Sequence, residues 1–526
     1  MERPRTVRLW HGTVVLAVAA LITKILSAFY RIPYQNIVGD VGFYIYQQVY
    51  PIYAVMMALA TSGYPVVISK LIAERVEEND EQGVFDVLRT SFFVLSAIGM
   101  FFFFLLYIGG GQLAKWMGDA RLTSLIQVVA FSFLLFPFLA VLRGYFQGRN
   151  NMVPTAISQV VEQSVRVATI LVFSYILIRT GHTLYEAGAG AIFGSVTGGF
   201  AALFVLTAYW LKSGMRQRKK GVGKPLVRYL LLQGLTVCVA NMVLTLTQLV
   251  DALTLLSLLK ESGVSERVAQ ALKGVYDRGQ PLIQLGTVVA TSFSFTLVPL
   301  IAGAKKRGEQ AFILEKTRLS VRVGMVVGMG AAFGLATLIR PTNVMLFEND
   351  AGSLSLAVLA LSIFFTTMSL TMSAILQGIG YEWGAVLSVG IAVSCKWLGN
   401  VLFVPFFGVN GAAVATLLAY MAMSLFLYRM LVRTIGVQPV RKKEIYWTLR
   451  AALVMVVVLT LYIWVTGQWG ENRFGATWQA LTGVLLGGVV YIIMVFKGKL
   501  FSPQEVAFFP FGEKLRIFLS KMRGER

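Results

Sequence analysis

Apolar runs of about 20 residues or more recur along the whole chain, separated by short polar stretches. A helix needs about 20 apolar residues to cross roughly 30 Å of hydrocarbon. In lipid a helix satisfies its own backbone hydrogen bonds, which an isolated strand cannot do. The pattern therefore predicts an all-α polytopic membrane protein. Fourteen spans are expected. The first six lie near 11–34, 43–72, 87–110, 123–146, 153–179 and 185–211. Six more lie near 226–252, 276–303, 317–340, 353–378, 384–407 and 410–432, and the last two near 448–467 and 477–496.

The runs also repeat. At an offset of 230, Tyr46 and Pro51 meet Tyr276 and Pro281, and Ala60-Thr61-Ser62 meets Ala290-Thr291-Ser292. Gln147-Gly148 meets Gln377-Gly378, Ser158 meets Ser388, and Arg166 meets Lys396. Spans one and six fit at slightly smaller offsets. Spans one to six thus recur as spans seven to twelve. Six is even, so both copies enter the membrane in the same sense, a parallel repeat about the membrane normal. Two lobes follow, 1–211 and 212–432, then spans thirteen and fourteen within 433–500. A basic amphipathic tail over 501–526, with Phe508, Phe509, Phe511 and Phe518 among lysines and arginines, suits the surface of an anionic leaflet.

Composition agrees: 56% of the 526 residues are hydrophobic and 14% are charged, with a mean hydropathy of +0.70. That is too apolar for a soluble domain of this length. The net charge of +22 would suggest nucleic acid in a soluble protein; here it reads as topology and no nucleic acid is expected. Basic residues concentrate before span one, in Lys212–Lys224, in Lys305–Arg307, in Arg441–Lys443 and after Lys497. By the positive-inside rule these segments and both termini lie in the cytoplasm, and the protein in the cytoplasmic membrane. The stretch 253–275, with Lys260, Arg267 and Lys273, is the exception and reads as an amphipathic outer extension of span seven. The start resembles a signal peptide, with a weak cleavage site at Ala17 and Ala19, but the repeat uses this run as its first helix.

Cys238 and Cys395 are isolated, as are His11 and His182, so neither a disulfide nor a metal site is expected. No Walker loop or nucleophile–base motif is visible, so no cofactor, no ATP-driven step and no enzyme activity is expected.

Ionisable residues inside the spans cost about 2.5–3.5 kcal/mol each and mark function. They are Lys24, Arg31, Glu162, Arg166, Asp251, Arg278 and Lys396. Lys24 and Arg31 share one face of span one; Arg31 is near enough to the outer end to snorkel. Glu162 and Arg166, four apart, are placed to pair. Asp251, taken as the end of span seven, is placed to neutralise Arg278. Five cations against two carboxylates leave a surplus, and a surplus of cations in a membrane cleft suits an anion. All seven are candidate substrate-binding residues, with packing salt bridges as the alternative for each.

Three stretches carry a resemblance: 22–55 (ITKILSAFYRIPYQNIVGDVGFYIYQQVYPIYAV), 143–167 (RGYFQGRNNMVPTAISQVVEQSVRV) and 275–293 (VYDRGQPLIQLGTVVATSF). They resemble the polysaccharide-export branch of the multidrug/oligosaccharidyl-lipid/polysaccharide superfamily, above all its stage V sporulation protein B-like and MurJ-like lipid II flippases. The resemblance implies fourteen helices, two lobes, a V-shaped central cavity and a lipid-tail groove at the last two helices. It also implies that Lys24, Arg31 and Arg278 face the cavity. Lysine at 24, where the better-known flippases carry arginine, offers phosphate a point charge rather than a fork. The expected function is a flippase for a polyprenyl-pyrophosphate-linked sugar, acting as a monomer, with the membrane potential or a coupling ion as driving force. Rivals are a multidrug exporter of the same fold, a membrane glycosyltransferase and a non-transporting scaffold for wall assembly. The motifs do not name the sugar or a sporulation stage.

Overall fold

The computed structural model describes residues 5–212, 224–467, 472–502 and 505. Side chains are described except at 5–14, 17, 224–225 and 289–299. The expected tail helix, most of the loop before Lys224, and the side chains of His11 and Ala290-Thr291-Ser292 lie outside the described residues.

The described residues form helices and turns and no strand. In order they are α1 (Arg5–Phe29), α2 (Arg31–Ala58), α3 (Tyr64–Glu77), α4 (Glu81–Trp116), α5 (Thr123–Gly148) and α6 (Val153–Arg179). There follow α7 (Leu184–Lys212), α8 (Lys224–Ala240), α9 (Val243–Glu261), α10 (Glu266–Asp277), α11 (Gly279–Lys306) and α12 (Gln310–Thr337). Last come α13 (Ile339–Phe347), α14 (Ser353–Gly378), α15 (Glu382–Ile435), α16 (Lys442–Val465) and α17 (Arg473–Lys497).

Eleven described segments are long and apolar enough to cross a membrane. Two of them are double-length: 18–77, of 60 residues, and Glu382–Ile435, of 54 residues. At 1.5 Å per residue the latter runs for about 80 Å, more than twice the hydrocarbon core. Gly408, at φ 55°, breaks it near its middle. Length and hydropathy alone therefore do not fix the expected count of fourteen. Large apolar side chains stand open on the surface, among them Phe101, Ile108, Phe406 and Trp464. Such faces belong in hydrocarbon, and the chain is a multi-pass membrane protein.

Helix ends follow ordinary rules. The Asp80 carboxylate accepts from the Gly83 amide at 2.8 Å and caps α4. Gly436, at φ 77°, ends α15 in the left-handed region. Expected span seven is two helices, because Asn241 donates its side-chain amide to the Val237 carbonyl at 2.9 Å and competes with the helical ladder there. The expected outer extension 253–275 is likewise divided. α9 runs on to Glu261, the chain turns at Gly263 (φ 87°), and α10 follows as a separate helix.

The chain packs as two compact units. One contains 1–285 and 385–419, and the other 286–384 and 420–526. In the second, α12, α16 and α17 share a core of Leu319, Val323, Met455, Leu459 and Tyr491, and the Tyr491 hydroxyl donates to the Val326 carbonyl at 2.7 Å. The first unit holds every candidate substrate-binding residue.

Candidate functional site

The first unit carries an unusual number of buried charges, and their partners differ from those the spacing predicts. Glu162 does not pair with Arg166. Its Oε2 accepts from Arg143 Nη2 at 2.6 Å, and both side chains are fully buried. Arg143 is held by two further bonds, from Nε to Ser158 Oγ at 3.3 Å and from Nη1 to the Ala60 carbonyl at 3.2 Å. That carbonyl belongs to a π-helical turn, Leu59–Gly63, linking α2 to α3. Helices open such a turn when they accommodate one surplus residue. α5 reaches the turn because Gly144 and Gly148 let it lie against Ile68 and Ile72 of α3, where a Cβ would come within 2.6 Å of either isoleucine.

Asp251 does not neutralise Arg278. It lies inside α9 rather than at its end, and its Oδ1 is 2.6 Å from Lys396 Nζ. The same ammonium donates to Thr416 Oγ1 at 2.7 Å, the Ala412 carbonyl at 2.9 Å and the Tyr276 hydroxyl at 3.2 Å. Asp251 also accepts from Tyr276 at 2.9 Å and Asn400 at 2.9 Å. Lys396 is thus enclosed by oxygen on every side that carries a proton.

Arg278 pairs instead with Asp40, a residue the sequence reading passed over. Its Nε and Nη2 reach Asp40 Oδ1 at 3.1 and 2.5 Å, and Gln35 adds a bond to the same oxygen at 2.8 Å. Two glycines make this contact. Gly39 turns the chain at φ 70°, and a Cβ on Gly274 would lie 2.0 Å from the Asp40 carbonyl oxygen. On α10, Lys273 and Asp277 form a further buried pair at 2.9 Å.

Among the described buried cations, Arg31 and Arg166 have no ion pair. Arg31 is fully buried, and none of its three guanidinium nitrogens makes a hydrogen bond of good geometry. Its Cζ stands 4.5 Å from the Tyr50 ring centre and 5.9 Å from that of Tyr30. Arg166 donates to Gln163 Oε1 at 3.2 Å and the Tyr30 hydroxyl at 3.1 Å, and faces the Tyr53 ring at 4.7 Å. Both arginines lean on Tyr50, Arg166 at 5.5 Å. Ring faces attract a guanidinium but do not cancel its charge. Asp277, within electrostatic reach of Arg31, is already held by Lys273. Lys24 is partly buried on α1 and has interactions of its own.

The structure therefore joins Arg31 to Arg166 through shared tyrosines, joins Asp251 to Lys396, and sets Arg278 and Glu162 apart with partners of their own. Among the described residues no cluster of three or more His, Cys, Asp or Glu side chains is arranged to hold a metal. The missed residues had a signal. Asp40 follows Gly39 in the quoted 22–55 stretch, and Arg143 opens the 143–167 stretch; both look like span-end charges until the helices are packed.

This architecture is a known multi-helix membrane fold. The solved structure titled "Lipid II flippase MurJ, inward closed conformation" shares it, with a TM-score of 0.69 over 91% of this chain and 98% of that one, at 14% identity. Among curated proteins, the chain is 43% identical over 530 residues to the uncharacterized membrane protein YabM of Bacillus subtilis (strain 168), covering 98% of this chain and 97% of that one. It is 26% identical over 515 residues to the lipid II flippase MurJ of the same organism, covering 92% and 94%. A family model described as polysaccharide biosynthesis protein matches residues 9–305, and the chain belongs to that family.

Proposed function

We propose that this protein flips a polyprenyl-pyrophosphate-linked sugar across the cytoplasmic membrane by alternating access. The observation that carries the reading is Arg31: a fully buried guanidinium with no carboxylate partner and no hydrogen bond of good geometry, beside a second arginine that has no carboxylate. N–H donors so poorly satisfied in a low-dielectric site are costly unless a better acceptor arrives, and a phosphate group is the acceptor an arginine fork fits. The relatives support the same reading, since one carries the name lipid II flippase.

In this mechanism the head group enters from the inner leaflet while the polyprenyl tail stays in lipid. Pyrophosphate oxygens bind Arg31 and Arg166, with Lys24 on α1, the helix that precedes Arg31 in α2. Arg278 joins them once Asp40 releases it, which couples anion binding to the parting of residues from the two sequence repeats. The repeats, 1–211 and 212–432, act as the lobes that rock. An inside-negative potential favours outward movement of the anion by about 2.3 kcal/mol per charge per 100 mV. Both termini face the cytoplasm: reporters after Lys220 and Lys443 read inside, and one at Asn472 reads outside.

A multidrug exporter would need carboxylates free to attract cationic drugs. Here Asp251, Glu162, Asp40 and Asp277 all have cationic partners. The test is head-group flipping in liposomes containing the purified protein, with efflux of a cationic dye as the control. Wild type flips the lipid-linked sugar, whereas Arg31→Ala with Arg166→Ala does not, at equal protein. Dye efflux without flipping, or full flipping by the double variant, overturns the reading.

A further inference from the structure

We infer that Arg143 is a positioning residue that withholds Glu162 from Arg166, so that Arg166 keeps its charge for an anionic substrate. This rests on the anion-carrier reading above.

Glu162 lies one turn before Arg166 on α6, the orientation in which an acid and a base four apart stabilise each other best. In a buried site that pairing would be the default. Yet the carboxylate turns away from α6 to Arg143 at 2.6 Å, and its other oxygen makes no hydrogen bond. Arg166 bonds instead to Gln163 and Tyr30 and faces the Tyr53 ring. α7 is pressed onto this stretch of α6: a Cβ on Gly198 would meet the Glu162 carbonyl at 2.7 Å and the Arg166 Cβ at 3.1 Å.

Arg143 is suited to the task because three independent groups fix it: Glu162, Ser158 and the Ala60 carbonyl. The last lies in the π turn on another helix, so the guanidinium is anchored from outside α6. The balance of charge then follows. Arg143, Glu162, Arg166 and Arg31 together carry +2. With Arg143 in place that surplus sits at Arg31 and Arg166. Without it, Glu162 is free to neutralise Arg166, and the anion meets a single positive charge.

The test uses the full-length purified protein and inorganic pyrophosphate as probe, with affinity measured on the folded fraction and the thermal unfolding midpoint recorded alongside. Arg143→Met is expected to weaken pyrophosphate binding about tenfold to a hundredfold, the worth of one charge-assisted contact. Adding Glu162→Gln to it restores affinity, because the neutral amide cannot cancel Arg166. If Arg143→Met does not fold, Arg143→Lys serves: it keeps the charge but has no fork to hold Glu162 and Ala60 together. It should lose affinity several-fold and regain it with Glu162→Gln. A merely structural Arg143 would lower the unfolding midpoint and leave the affinity of folded molecules unchanged, and that result overturns the proposal.

A second readout does not depend on substrate. An experimental structure of the Arg143 variant should show Glu162 within salt-bridge distance of Arg166; a carboxylate that stays away also overturns it. If wild type binds no pyrophosphate but Glu162 does swing across, the withholding stands and the anion-carrier reading is what fails.

Discussion

Positions 166 and 396 correspond in the internal repeat, as do Tyr46 and Tyr276, and the two sites have opposite electrostatic outcomes. Lys396 sits beside Tyr276 within a shell of four oxygens that includes the Asp251 carboxylate. Arg166 lies among Tyr30, Tyr46, Tyr50 and Tyr53 and has no carboxylate. Both are buried cations. What separates them is what the neighbouring elements deliver: α9 brings Asp251 to Lys396, while α5 takes Glu162 from Arg166. Burial alone does not decide whether a cation is neutralised; the supply of counter-charge decides it.

The contrast can be broken most severely at Asp251. Asp251→Asn leaves Lys396 buried and unpaired, and should destabilise the protein by about 3–5 kcal/mol. Membrane abundance and thermal unfolding would register this, and Lys396→Met in the same chain should recover most of it. Arg166→Met should do the reverse, with near-normal abundance and lost flipping.

The contrast can also be erased by giving Arg166 what Lys396 has. Gln163 already accepts from Arg166 at 3.2 Å. Gln163→Glu should therefore form an ion pair in place, leave the unfolding midpoint unchanged or higher, and weaken pyrophosphate binding about tenfold or more. Tight binding by this variant would mean that charge at Arg166 is not what the anion reads.

The smallest effect is expected at Asp40, whose side chain is 24% exposed. Water reaches Asp40 but not Arg278, so Asp40→Asn should cost less than Asp251→Asn and more than loss of an exposed pair. Its signature lies in binding. With the carboxylate gone Arg278 needs no release, so Asp40→Asn should bind pyrophosphate more tightly than wild type. Unchanged or weaker binding would separate Arg278 from the anion's path.

Much of this was legible in the chain. Apolar run length gave the helices, because lipid leaves the backbone few alternatives. The offset of 230 aligns Arg166 with Lys396 and Tyr46 with Tyr276. The pairings were not legible. Sequence spacing favours partners on one helix and so pairs Glu162 with Arg166, whereas Arg143 approaches from α5, 19 residues away in sequence. A span ending near 252 pairs Asp251 with Arg278, whereas α9 runs on to Glu261 and carries Asp251 to Lys396. The Arg278–Asp40 contact joins residues 238 apart and depends on two glycines. No periodicity encodes such a meeting.

The π turn at Leu59–Gly63 has a consequence for the helix that follows it. One residue of an α-helix is worth about 100° of rotation about its axis. The surplus residue therefore sets the azimuth of all of Tyr64–Glu77, aiming Ile68 and Ile72 at the glycines of α5. Deleting a single residue from 59–63 would dial the whole rod round by that angle. The isoleucine ridge would leave its groove, and the Ala60 carbonyl would return to its own helix and let go of Arg143. An indel of one residue, too small to shorten a membrane crossing, would thus act as a rotary misalignment of an entire segment.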